Sequence, residues 1–150
     1  MKKIKNFRKG FTLIELLIVI AIIGVLATLL MVNFVGVRQR ARDAQRKSDL
    51  RQIQSALELY RADNGSYPAS LTCNTIFSVD GTANTTVYMS KVPCDPMNTG
   101  QFVYTYAPVS GGYYIYACLE NTNDSQKDSS NNATYCAGGS TNWSFTVQNP

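Results

Sequence analysis

Glu15 is the residue best placed to do chemistry in this chain, because it is the only charge in the 27 residues from Phe11 to Val37. An ionised carboxylate at bilayer depth costs roughly 2.5–3.5 kcal/mol on insertion scales, so one placed there asks for a cationic partner. The four cysteines, Cys73, Cys94, Cys118 and Cys136, are the second reactive group. An even number in an exported small domain favours disulfides. Three pairings are possible. Cys73–Cys94 and Cys118–Cys136 are preferred, because each then closes a polar loop beside an expected strand. A zinc site made of all four cysteines fits the pattern badly, since no two of them are closely spaced and there is no histidine. Catalysis has no footing either. The chain lacks a Gly-x-Ser-x-Gly motif and a phosphate-binding glycine loop, and its carboxylates are scattered. The expectation is a protein that is not an enzyme and holds no cofactor.

The elements that must position Glu15 are read from the apolar pattern. From Leu16 to Val32 the run is broken only by Gly24 and Thr28. About 20 apolar residues cross the hydrocarbon core as helix. Lys2, Lys3, Lys5, Arg8 and Lys9 all precede the run, so by the positive-inside rule the leader stays cytoplasmic and the remainder faces outward. A secretory signal would carry a shorter apolar region and an Ala-x-Ala site after it, whereas Arg38-Gln39-Arg40 follows here. The one small residue at a suitable boundary is Gly10.

The helix should continue to Asp63, about 80 Å in all. Leu50, Ile53, Leu57 and Tyr60 recur at helical spacing and make one apolar stripe. Asp43/Lys47, Asp43/Arg46 and Glu58/Arg61 are spaced to pair along the helix. Asn64-Gly65 and Tyr67-Pro68 end it. Strands are expected over Gln101–Tyr106, Tyr113–Leu119 and Trp143–Gln148, with Ser110-Gly111-Gly112 as a hairpin turn. Residues 69–92 show little periodicity and receive no element. The expected fold class is α+β: a long N-terminal helix, first half transmembrane or filament core and second half amphipathic, packed against a small antiparallel sheet. The organisation is a leader over 1–10, a core helix over 11–37, an amphipathic half over 38–64, and a β head with disulfide-braced loops over 65–150.

The formal charge of +4 belongs to the leader. Behind Gly10, nine basic residues face ten acidic ones, so charge gives no case for nucleic acid. The head is polar and rich in Asn, Ser and Thr, as suits an exported surface.

Gly10-Phe11-Thr12-Leu13-Ile14-Glu15, behind a basic leader and before a long apolar helix, resembles the class III leader of type IV pilins and type II secretion pseudopilins. The resemblance spans about residues 8 to 68. It implies a pilin-like fold, cleavage between Gly10 and Phe11 by a membrane prepilin peptidase, and N-methylation at Phe11. The new amine would lie four residues, one helical turn, from Glu15. In a filament the amine of one subunit would meet Glu15 of its neighbour and set the axial register. The implied partners are other copies of the chain in a helical homopolymer, membrane lipid, an inner-membrane platform and an assembly ATPase. The implied location is the inner membrane in a single pass, then an extracellular or periplasmic filament. Many pilins carry a Pro where Val32 stands, and its absence leaves Gly24 as the weak point of the helix.

At lower specificity, Val92-Pro93-Cys94-Asp95-Pro96 is similar to the turn before the first strand of major pseudopilins. That group often binds calcium in the loop after the second strand. The matching residues here are Glu120, Asp124 and Asp128, although their spacing is not an EF-hand and Cys118–Cys136 would brace the loop instead. The nine tyrosines are read as sheet and core packing. Arg38 to Arg51 are read as inter-subunit pairs and solvated charge, not as a nucleic-acid surface. The expected function is a structural subunit of a type IV pilus serving adhesion, motility or DNA uptake. A secretion pseudopilin is the alternative, and a membrane-tethered binding module that never polymerises is the alternative of another class.

Overall fold

The computed structural model describes residues 10–137 and 141–150; the leader up to residue 9 lies outside them. One helix, α1 (Leu13–Asn64), runs for 52 residues. Its start is built by Thr12 and Glu15. Thr12 Oγ1 accepts from the Glu15 amide at 3.3 Å, while Glu15 Oε2 accepts from the Thr12 amide at 2.8 Å and from its hydroxyl at 2.7 Å. This reciprocal capping box satisfies amides that the first turn leaves without helical partners. The helix passes unbroken through Val32, since no proline removes a backbone donor there. At its other end Gly65, at φ 74°, donates to the Arg61 carbonyl at 2.7 Å. Only a residue without Cβ takes that left-handed geometry at no cost.

The chain divides after Val37 into two units. In the first, Leu13–Met31 is long and apolar enough to cross a membrane, and none of it is buried among the described residues. In the second, Arg38–Pro150, the helix carries the core stripe. Leu50, Ile53, Ala56 and Leu57 are buried with Phe77, Val92, Tyr113, Ile115, Ala117, Leu119, Phe145 and Val147. Tyr60 packs at the margin of this cluster.

Two sheets complete this unit. β1 (Phe77–Ser78) and β2 (Val87–Met89) form a small antiparallel pair inside the segment that lacked a readable pattern. They are short, and their loop is organised by Asp80, whose carboxylate accepts from the Thr82 amide and the hydroxyls of Thr82 and Thr85. β3 (Thr105–Val109), β4 (Gly112–Leu119) and β5 (Trp143–Gln148) form an antiparallel sheet in chain order. The register pairs Ile115 with Val147 and Ala117 with Phe145, which puts the alternating apolar residues of β4 and β5 on the helix-facing side. Ser110-Gly111 makes the β3–β4 turn, with Gly111 at φ 79°.

The first strand of the sheet starts later than the pattern over Gln101–Tyr106 suggests. Residues 99–102 form a turn closed by the Phe102 amide on the Thr99 carbonyl at 3.0 Å. Phe102 leaves the ladder to lie 4.8 Å from the Arg46 guanidinium carbon. Strand pairing extends instead through Pro108, which an edge strand tolerates. The opposite edge is covered. Asp128 donates its amide to the Ser144 carbonyl at 2.9 Å, Asn131 Oδ1 accepts from the Ser144 amide at 2.9 Å, and Asp128 Oδ1 accepts from the Thr146 amide at 3.0 Å.

Candidate functional site

At the N-terminus, Gly10 is exposed and open, and Phe11 is 86 % exposed. Both residues flanking this peptide bond are thus uncovered by the other described residues. Glu15 sits one turn into the helix with its carboxylate held by Thr12. Phe11, Leu13, Ile14, Leu16 and Leu17 around it are all exposed, so the carboxylate is ringed by apolar surface with no cover from the other described residues of its unit. In a membrane or between copies, such a group would be stabilised by an amine and penalised without one.

The second unit holds a different charge cluster, built around Arg46. Its guanidinium, fully buried, donates to Asp95 Oδ2 at 2.7 Å and Oδ1 at 3.1 Å, to Asp43 Oδ1 at 2.7 Å and to Glu120 Oε1 at 2.7 Å. Arg42 donates to both oxygens of Glu120. Asp43 closes the circuit by accepting from the amides of Glu120 at 2.9 Å and Asn121 at 2.8 Å. Burial works against the charge on Arg46, but its bonds to Asp95, Glu120 and Asp43 outweigh that and hold its pKa above the ordinary value. Glu120 is held below the usual carboxylate range, first by Arg42 and then, against burial, by Arg46. Burial pushes Asp49 up, partly offset by the Tyr104 hydroxyl that donates to it at 2.8 Å.

This cluster corrects the reading of Arg42, Arg46 and Lys47 as solvated or inter-subunit charge. Arg46 is interior, and Arg42 and Lys47 pair within the chain. Lys47 reaches Asp124, not Asp43, at 2.8 Å. Glu58 likewise accepts from the hydroxyls of Tyr67 and Tyr113, not from Arg61. A signal was available. Asp43, Arg46, Leu50, Ile53 and Leu57 share one spacing, so the core stripe continues into two charged residues that must find partners.

Cys73 is bonded to Cys94 and Cys118 to Cys136, and no cysteine is free among the described residues. The first bridge ties the segment before β1 to the Asp95 turn. The second ties β4 to its following loop, with both cysteines buried. Glu120, Asp124 and Asp128 do not converge. Glu120 faces the helix arginines, Asp124 faces Lys47 and the Gln126 amide, and Asp128 faces Thr146 on β5. Among the described residues no three metal-ligating side chains gather. The tyrosines pack. Tyr104, Tyr106 and Tyr113 lie against the core with hydroxyls on Asp49, the Pro68 carbonyl and Glu58, while Tyr114, Tyr116 and Tyr135 stack in a row.

An exposed apolar helix entered through a capping box, together with a small disulfide-braced head of antiparallel sheet on that helix's amphipathic half, defines a protein of the pilin and pseudopilin class. The prokaryotic N-terminal methylation motif matches residues 5–31, and the model for type II secretion system protein G matches residues 33–135. The chain belongs to the type II secretion system protein G family. It is 33 % identical over 96 residues to type II secretion system core protein G of Escherichia coli, covering 59 % of this chain and 66 % of that protein. It is 41 % identical over 63 residues to the core protein G of Klebsiella pneumoniae, covering 42 % and 45 %. It is 48 % identical over 62 residues to the type IV wide pilus major component PilA4 of Thermus thermophilus, covering 41 % and 47 %. The chain thus spans less than two thirds of the length of these relatives. No solved structure matches it.

Proposed function

We propose that this chain is the repeating subunit of a type IV pilus, processed between Gly10 and Phe11, methylated at Phe11 and polymerised through α1. The observation that carries the polymer is the unburied run Leu13–Met31 with Glu15 near its start. Lipid covers such a surface before assembly and other copies cover it afterwards. The amine created at Phe11 pairs with Glu15 of a neighbour, which replaces the hold of Thr12 and rewards one axial register over others. Two disulfides in the head suit exposure outside the cell.

The match of the secretion protein G model across residues 33–135 favours a second reading, a short pseudopilus that drives protein export. Intact mass spectrometry of sheared surface filaments separates the readings. A species that begins at methylated Phe11, lighter by four hydrogens for two disulfides, supports the pilus. The same processed species confined to the cell envelope, with export lost on deletion, supports the pseudopilus. Full-length chain found only in membranes and in no filament would refute both, in favour of a tethered binding module. Glu15→Leu is expected to insert normally but to leave filaments scarce, and wild-type yields of filament would sink the pairing.

A further inference from the structure

The loop from Glu120 to Cys136 has the carboxylates that would suit a calcium ion, but its donor set is spent. All six oxygens of Glu120, Asp124 and Asp128 accept hydrogen bonds from this chain. Glu120 takes Arg42 and Arg46, Asp124 takes Lys47 and the Gln126 amide, and Asp128 takes the amide and hydroxyl of Thr146 at 3.0 and 2.6 Å. Several backbone oxygens of the loop are occupied as well. Lys127 Nζ donates to the Thr122 carbonyl at 2.6 Å, the Asp124 amide to the Asn121 carbonyl at 3.1 Å, and Trp143 Nε1 to the Asp128 carbonyl at 2.7 Å. Calcium needs six to eight oxygens converging on one point. Here the acids point in three directions, each toward a tethered cation or an edge strand.

The geometry points to a loop that carries its own cations in place of a divalent ion. Lys127 is the member contributed by the loop itself. Its ammonium closes the first turn on Thr122 and lies 4.2 Å from the centroid of the Trp143 ring, the first residue of β5. One side chain therefore fastens the loop to itself and to the sheet by a charge-assisted bond and a cation–π contact. Lys47, Arg42 and Arg46 fasten the same loop to the helix. A tethered cation does not dissociate, so the loop needs no calcium to hold its place. This inference is independent of whether the chain polymerises.

Trp143 is the sole tryptophan, so its fluorescence reports on this contact. The test uses the full-length protein in detergent, with thermal unfolding, Trp143 emission and limited proteolysis measured in excess chelator and in millimolar calcium. Wild type is expected to give one Tm and one emission spectrum in both. Lys127→Met is expected to shift the emission and to speed cleavage within residues 121–135 by at least about tenfold in both, with Lys127→Arg largely restoring protection. A wild-type Tm that falls by more than about 4 °C on chelation, or rises by as much with calcium, overturns the inference. Unchanged emission and cleavage in Lys127→Met overturn the role of that ammonium. Should Lys127→Met not fold, the chelator comparison on wild type still decides the matter.

Discussion

Arg46→Met is the substitution that asks most of the head. The side chain keeps an unbranched apolar stem but is shorter and loses the guanidinium, which makes four hydrogen bonds of 2.7–3.1 Å to three carboxylates and lies over Phe102. Asp43 and Asp95, 1 % and 3 % exposed, would remain buried with that cation gone. Removing one partner of a buried ion pair costs about 3–5 kcal/mol. The loss should fall at the low end, because Asp43 retains the amides of Glu120 and Asn121, Asp95 retains the Met97 amide at 2.8 Å, and Glu120 retains Arg42. About 3 kcal/mol in a unit of this size lowers Tm by roughly 12 °C. Thermal unfolding of the full-length protein by circular dichroism measures the shift. A cycle with Asp95→Leu measures the coupling, expected at about 1–3 kcal/mol. Loss of less than about 1 kcal/mol in Arg46→Met, or coupling near zero, would refute the claim that this cluster fastens the Asp95 turn and the Glu120 loop to the helix.

Three further outcomes follow from the same geometry. Replacing Cys118 and Cys136 together by Ala opens a loop with a separation of 18 residues, and should cost about 3 kcal/mol in denaturant titration. In acid, Glu120 and Asp124 have pKa values depressed in the folded state, Asp124 because the Lys47 and Gln126 bonds outweigh burial. Their stabilisation is therefore present above the ordinary carboxylate range and is lost as pH falls below it through the depressed folded-state values. Asp49, shifted the other way by burial, opposes part of that loss, and a pH series of unfolding midpoints checks the net fall. In alkali, burial pushes Tyr106 up to about 12, and burial raises Tyr104 and Tyr113 further with help from Asp49 and Glu58. The unfolded tyrosines ionise first, so stability should decline as pH rises above about 10, read by ultraviolet titration of tyrosinate alongside circular dichroism.

What was legible in the sequence was whatever depends on local period. The Leu50–Leu57 stripe and the alternation of β4 and β5 are buried as their spacing requires, because apolar burial acts residue by residue. Of the Arg46 cluster only the pair with Asp43, three positions away, was legible, because the other partners lie 49 and 74 positions away and a charge run read alone defaults to solvent. Even so, the unbroken spacing from Asp43 to Leu57 carried a hint. The shift of β3 has a similar cause. Phe102 fits an alternating strand by type, yet the buried guanidinium competes for its ring and wins. The β1–β2 pair escaped notice because two or three residues hold too little pattern, and a side chain, Asp80, takes the place of a turn sequence. At the N-terminus the residue order fixed where Glu15 sits, but not that Thr12 would hold its carboxylate within one chain.

The two borders of the β3–β4–β5 sheet, one short of a backbone donor at Pro108 and the other covered by the Asp128–Asn131 strap, bear on how copies of this chain tolerate crowding. An open strand border offers any neighbour a continuous row of backbone donors and acceptors, and growth along it ends in cross-β aggregates of extreme kinetic stability. With one border strapped and the other short of a donor at Pro108, fewer backbone groups are left through which two heads could pair strand to strand.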